Sequence, residues 1–238
     1  MTVSIEALVA GQAVIARLDA SAPGLVTELF LIGSAILDDW QTGRSDVDVL
    51  GILARNPTEP ERRCLGAALR SEGPKIEAEW FTRAELAIPQ STAVRAVALR
   101  TLVQGGLSLR GVVPNNISDN STLLAELLVA NLQTYWFDWI GRARQPFSRL
   151  GLSMLGDWAP AWGVLGVARI IYTLRTGDII SKSGAGRWAL SQFPEHTRIL
   201  TECIRLRTGE GPKSYLEPFS RKRDALAAMN AMILASRL

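Results

Sequence analysis

Cysteine and histidine are almost missing from this chain of 238 residues. The two cysteines, Cys64 and Cys203, stand far apart and form no CxxC pair. That removes the spacing of a zinc site or a redox dithiol. Both fall in helical, apolar surroundings, where free buried thiols are expected. The single histidine, His196, follows Phe193-Pro194-Glu195, which reads as a helix start. Any histidine-based triad or metal site would have to run through it, and a surface role is expected instead. Apolar runs of 18 or more residues are also missing, which excludes a helix spanning a membrane. The first residues, Met1-Thr2-Val3-Ser4-Ile5-Glu6, bring an early acid and no basic region. They do not resemble a secretory signal, so a cytoplasmic protein is expected. An excess of one charge is missing too: 26 Lys and Arg face 23 Asp and Glu, for a net charge of +3. That balance gives no electrostatic footprint for nucleic acid. The expected partner is a small molecule, with no nucleic acid, no membrane and a monomeric protein.

What is present is a large apolar share, 47% against 21% charged, enough for a sizeable core at this length. Apolar positions at Ile5, Leu8, Val9, Val14, Ile15 and Leu18 predict a helix over 4–19. Ser21-Ala22-Pro23-Gly24 breaks it. Leu25 to Ile32 reads as a buried strand and Asp46 to Ala54 as a second. A helix is expected from Glu61 to Ser71, after the loop Asn56-Pro57-Thr58-Glu59-Pro60. Lys75 to Thr82 alternates like a strand, with Ile76, Ala78 and Trp80 on one face and Glu77 and Glu79 on the other. From about residue 91 the pattern turns helical, with helices expected over 91–103, 121–143, 160–176, 184–193, 196–208 and 219–236. The polar stretch Pro114 to Asn120 is the best linker. Strands first and helices after predict an α+β domain over 1–113 and an all-α domain over 114–238.

The chemistry lies in the first half. The apolar run Leu29-Phe30-Leu31-Ile32 ends in Gly33-Ser34, and Ser45-Asp46-Val47-Asp48 opens the next strand. Alternate residues of a strand share a face, so Asp46 and Asp48 project together, roughly 6–7 Å apart along the strand. Two carboxylates so close repel unless a cation stands between them. Hard oxygen donors at such positions suit Mg²⁺, which binds through one or two carboxylates plus substrate phosphates. The Gly33-Ser34 turn offers backbone N–H groups and a hydroxyl to those phosphates. Glu77, on a later strand, is a third acid for metal binding or for accepting a proton. These residues predict metal-dependent nucleotidyl transfer.

Gly33-Ser34 with Ser45-Asp46-Val47-Asp48 resembles the Gly-Ser…Asp-x-Asp signature of the polymerase-beta-like nucleotidyltransferases. The segments 168–177 and 181–190, followed by Phe193-Pro194, look like the C-terminal domain of the streptomycin/spectinomycin adenylyltransferases. Those enzymes join a nucleotidyltransferase domain to a helical bundle and move AMP from ATP to an aminoglycoside hydroxyl, giving antibiotic resistance. The resemblance implies ATP as co-substrate and two Mg²⁺ ions, with Asp46 and Asp48 binding metal. It implies that Glu77 is the catalytic base and a further metal ligand, and that Gly33, Ser34 and Ser45 lie by the phosphates. It implies that Arg169 and Lys182 reach the triphosphate across a cleft, and that Trp158 contacts the substrate. The segment after Glu77 is shorter than in those enzymes and lacks their aromatic contact. Where they carry acids after the tryptophan, this chain reads Ala159-Pro160-Ala161-Trp162-Gly163. Glu79, Glu85, Asp119, Glu126, Asp138 and Asp157 are the carboxylates left for a cationic acceptor. The alternatives are another acceptor (a different antibiotic, a biosynthetic intermediate or a protein) or a non-catalytic nucleotide-binding module. The basic run Arg221-Lys222-Arg223 reads as the polar face of the last helix.

Overall fold

The computed structural model describes residues 3–236. The chain divides into two compact units, Met1–Leu124 and Ala125–Leu238. The first opens with helix α1 (Ile5–Ser21), whose N-cap Ser4 accepts the Ala7 N–H through its hydroxyl. Strand β1 (Val26–Ile32) follows, then a short 3₁₀ turn at Gly33–Ala35, then β2 (Val47–Leu53). Helix α2 (Glu59–Ala68) is started by a Thr58–Glu61 capping box. Strand β3 (Ile76–Thr82), the single turn α3 (Arg83–Leu86), α4 (Ala93–Gly105) and β4 (Leu107–Arg110) complete the order.

The strands form one sheet in the order β3-β2-β1-β4. β1 is antiparallel to β2 and β4, whereas β2 and β3 run parallel. Both faces are covered, which is why β1 and β2 read as continuous apolar runs rather than alternating ones. Val47, Val49, Leu29 and Leu31 pack on one face with α1 and α2 residues such as Val14, Leu18 and Leu65. Phe30, Leu50, Ile52 and Phe81 pack on the other with Leu99 and Leu102 of α4. Gly51 sits opposite Trp80, and a Cβ there would collide with the indole ring.

The second unit is helical: α5 (Ser121–Asn131, beginning in the first unit's last residues), a π-helical turn (Leu132–Trp136), α6 (Phe137–Arg144) and α7 (Arg149–Ser153). Then come α8 (Trp158–Thr176), α9 (Lys182–Gln192), α10 (Thr197–Thr208) and α11 (Pro218–Ala235). α8 is the central element, apolar nearly all round, and packs on α9, α10 and α11. Its Gly163 and Gly166 leave room for the rings of Trp139 and Trp136. Gly177 and Gly209, both at positive φ, end α8 and α10 in the left-handed cap that glycine adopts most easily. Cys203 is fully buried and Cys64 half-buried; both are free thiols. Among the described residues no helix is long and apolar enough to cross a membrane.

An α+β arrangement followed by helices is what the patterning predicts. Several features depart from it. The expected helix over 121–143 is interrupted by the π turn, and α3, β4 and α7 are not among the expected elements. The basic run on the last helix is also not a solvated face throughout, because Arg221 is buried at 5% exposure.

Candidate active site

The end of β1 is turned back by Gly33, whose φ of +69° is costly for any residue with a Cβ. Its carbonyl accepts from Ile36 and Leu37 at 3.2 Å each, closing the turn. A Cβ at this position would strike the Asp48 carboxylate, so the glycine is needed twice. Ser34 follows in the same turn and is half-buried. The chain then reaches a second turn in which Ser45 N–H donates to the Gln41 carbonyl at 2.8 Å. The Ser45 hydroxyl accepts the Gln41 N–H at 3.0 Å. Ser45 is thus buried, at 6% exposure, and fixes the loop that delivers Asp46.

The register of the sheet decides how the acids meet. Asp48 is paired with Ile32 on β1 and with Glu77 on β3. Opposed residues of parallel strands show their side chains on the same face, about 4.8 Å apart. Asp46 lies two residues before Asp48, hence on that face as well. The three acids therefore share one face of one sheet edge, beyond the apolar layer of Phe30, Leu50 and Phe81. Asp46 and Asp48 are half-buried and Glu77 is exposed.

A fourth charged group joins them. The Val47 N–H, between the two aspartates, donates to the Lys75 carbonyl at 2.8 Å. Continuing the Val47–Ile76 register by one residue sets Lys75 opposite Asp46. Lys75 and Glu77 form an ion pair along the strand. The hydrogen bond to Glu77, with the fields of Glu77, Asp46 and Asp48, holds the Lys75 ammonium above its usual pKa. Farther along the same face, burial pushes the Glu79 carboxyl up; Arg95 opposes this and the neighbouring Glu77 adds to it. Lys75 has no role in the sequence reading, although Lys-x-Glu on a strand already puts the two side chains on one face.

Among the described residues no three acidic, cysteine or histidine side chains converge as a metal site. The donor chemistry nevertheless fits a hard divalent cation: three carboxylates share a face, and a cation already stands in their field. Asp46 and Asp48 are the residues that would hold such an ion, with Glu77 beside them.

The other expected residues belong to the helical unit. Arg169 lies in α8 and Lys182 begins α9; both are half-buried and neither lacks a partner. The N-cap of α9 is Ser181, whose hydroxyl accepts the Gly184 N–H at 3.0 Å. Trp158, at the start of α8, is 65% exposed and stacks on Trp162, with ring centroids 5.4 Å apart and planes 23° from parallel. Trp162 continues into the buried Trp136 and Trp139. Arg221 of α11 braces the turn before Trp158. It donates to Asp157 Oδ1 at 2.9 Å and to the carbonyls of Leu155 and Gly156 at 2.8 and 2.9 Å.

Residues 152–233 match the family model of the aminoglycoside adenylyltransferase C-terminal domain. The match spans α8 to α11 and includes Trp158, Arg169 and Lys182. The solved spectinomycin adenyltransferase AAD(9) from Enterococcus faecialis, crystallised with ATP and spectinomycin, is similar along its whole length. Its TM-score is 0.73 over 99% of this chain and 100% of that one, at 13% sequence identity. At that identity the likeness shows the fold. No curated protein gives a significant sequence match to this chain. The chain thus resembles the aminoglycoside adenylyltransferases by sequence in its helical unit and by fold throughout.

Proposed function

We propose that this protein is a nucleotidyltransferase that moves AMP from ATP to a hydroxyl of an aminoglycoside. The observation that carries the proposal is the pairing of Asp48 with Glu77 in register, with Asp46 on the same face and the Gly33-Ser34 turn against Asp48. A base and two cation-binding carboxylates beside an open backbone turn are what phosphoryl-type transfer needs, because its catalysis is mostly positioning and charge neutralisation.

In this mechanism the Gly33-Ser34 turn presents backbone N–H groups and a hydroxyl to the phosphates. Ser45 holds the loop that places Asp46. Glu77 accepts the proton of the acceptor hydroxyl. The acceptor oxygen forms a bond to the α-phosphorus while the bond from that phosphorus to the bridging oxygen breaks. Pyrophosphate leaves with the electron pair. Asp46 and Asp48 would hold Mg²⁺, which when bound neutralises charge on the phosphate oxygens. Arg169 and Lys182 are proposed as cations for the triphosphate, and Trp158 as a flat apolar contact for the acceptor.

A second reading keeps the chemistry and changes the acceptor to a hydroxylated molecule of lower charge. It is favoured by the pairing of four of the six available acids; among the described residues Glu126 and Asp138 are the two by which no arginine stands. Glu79 and Glu85 both face Arg95, Asp119 pairs with Arg100, and Asp157 with Arg221. Carboxylates already held by arginines are poorly placed to meet several ammonium groups. Pyrophosphate release from MgATP, measured over a panel of aminoglycosides and uncharged hydroxylated antibiotics, separates the two. Release with aminoglycosides alone supports the first reading, release with the uncharged set alone supports the second, and release with neither contradicts both.

A further inference from the structure

We infer that Lys75 is the resident counter-ion of the acidic edge: paired with Glu77 and in the field of Asp46 and Asp48, it offsets part of their negative charge before metal binds, and a divalent ion has to displace it. The inference rests on the reading of Asp46 and Asp48 as metal-binding residues. Three observations carry it. The backbone of Lys75 is fixed to the strand of the aspartates by the Val47 N–H, so the sheet sets the face from which the side chain leaves the strand. Extending the Val47–Ile76 register by one residue puts it opposite Asp46 and on the face of Asp48 and Glu77. Its ammonium is ion-paired with Glu77.

The physical consequence is competition. Three carboxylates on one face repel, and a cation among them relieves the repulsion. An ammonium supplies one positive charge without a fixed coordination geometry, on a flexible four-carbon stem. A divalent ion supplies two charges and takes the oxygens directly. Both side chains of the Lys75–Glu77 pair are exposed, at 66% and 52%, so breaking it costs little. Lys75 therefore lowers the affinity for metal without abolishing it. The same displacement frees the Glu77 carboxylate from its ammonium partner.

The test is a Mn²⁺ titration of the nucleotide-free protein, followed by the electron paramagnetic resonance signal of free Mn²⁺. Lys75→Met should bind Mn²⁺ about five- to tenfold more tightly than the parent, as expected for removing one nearby positive charge at an exposed site. Lys75→Ala, which also removes the stem, should tighten binding similarly, whereas Lys75→Arg should stay within about twofold of the parent. Unchanged or weaker binding in Lys75→Met and Lys75→Ala, with the circular dichroism of the parent, overturns the inference. Asp48→Asn reports separately on the reading beneath it. If that variant binds Mn²⁺ like the parent, the metal site itself is misassigned, whatever Lys75 does.

Discussion

At the scale of single residues, the candidate site depends on Gly33, Asp48 and Glu77 more than on any other positions. Gly33 is held at positive φ against the Asp48 carboxylate. Gly33→Ala should cost about 1–2 kcal/mol from the left-handed backbone alone, read as a lower melting temperature. It should also lower turnover well beyond what that destabilisation explains, because Asp48 has to move. Asp48→Asn and Glu77→Gln should each cut turnover on the order of a hundredfold or more, with circular dichroism unchanged. Neither should melt markedly lower, since each removes one of three like charges from a crowded edge. Asp46, Asp48 and Glu77 are all legible in the sequence because a strand's period of two is visible there. Their pairing is not, because register follows from which strands are neighbours. Lys75 shows the limit most clearly: its alternation with Glu77 is plain in the sequence, but its place opposite Asp46 exists only once β2 and β3 lie side by side.

At the scale of elements, the helical unit is held by a polar network as well as by its apolar core. Glu202 of α10 is fully buried. Burial pushes its carboxyl up, but two hydrogen bonds from Arg205, one from the Ser214 N–H, and the fields of Arg205 and Arg221 together hold it below the ordinary 4.5. Its contribution to stability is therefore complete above about that ordinary value and is lost as the pH falls through the lower, folded-state value. Acid denaturation should begin below pH 4.5 in part through this group. Glu202→Gln should be destabilised at neutral pH and show a flatter acid limb when melting temperature is followed against pH. Arg221, which joins Glu202 to the turn before Trp158, should cost about 3–5 kcal/mol when changed to Met, since its polar partners would be left buried or unmade. Asp157→Asn, at an exposed partner, should cost far less. The sequence shows Arg221 as one member of a basic run on an amphipathic helix. Only packing of α11 on the 155–157 turn takes it inside. The π turn at Leu132–Trp136 is equally hidden, because its residues carry the same apolar pattern as the helices on either side. β4 is four residues long, too short for alternation to be told from chance.

At the scale of the whole molecule, each unit has its own core, one built on both faces of a mixed sheet and one on α8. Strands before helices is the broad plan of the sequence, although α4 and the late strand β4 belong to the first unit, which runs to Leu124. The plan is legible because long apolar periods survive even where single boundaries shift. The acceptor is not, because it depends on which carboxylates are left unpaired after folding, and several are already engaged by arginines. If ATP is the co-substrate, saturating MgATP should stabilise the protein by mass action, by roughly 2.7 kcal/mol at a hundredfold excess over Kd. Asp48→Asn should lose most of that gain in a thermal-shift measurement. The central claim is that the edge formed by Asp46, Asp48 and Glu77 transfers AMP. Its most direct measurement is transfer of radiolabel from α-³²P-ATP to an aminoglycoside panel, with pyrophosphate released in equal amount, by the parent and by Asp48→Asn. Labelled acceptor with the parent and none with the variant is the predicted result. Equal transfer by both, or ATP bound by the parent with no transfer to any acceptor, would contradict it.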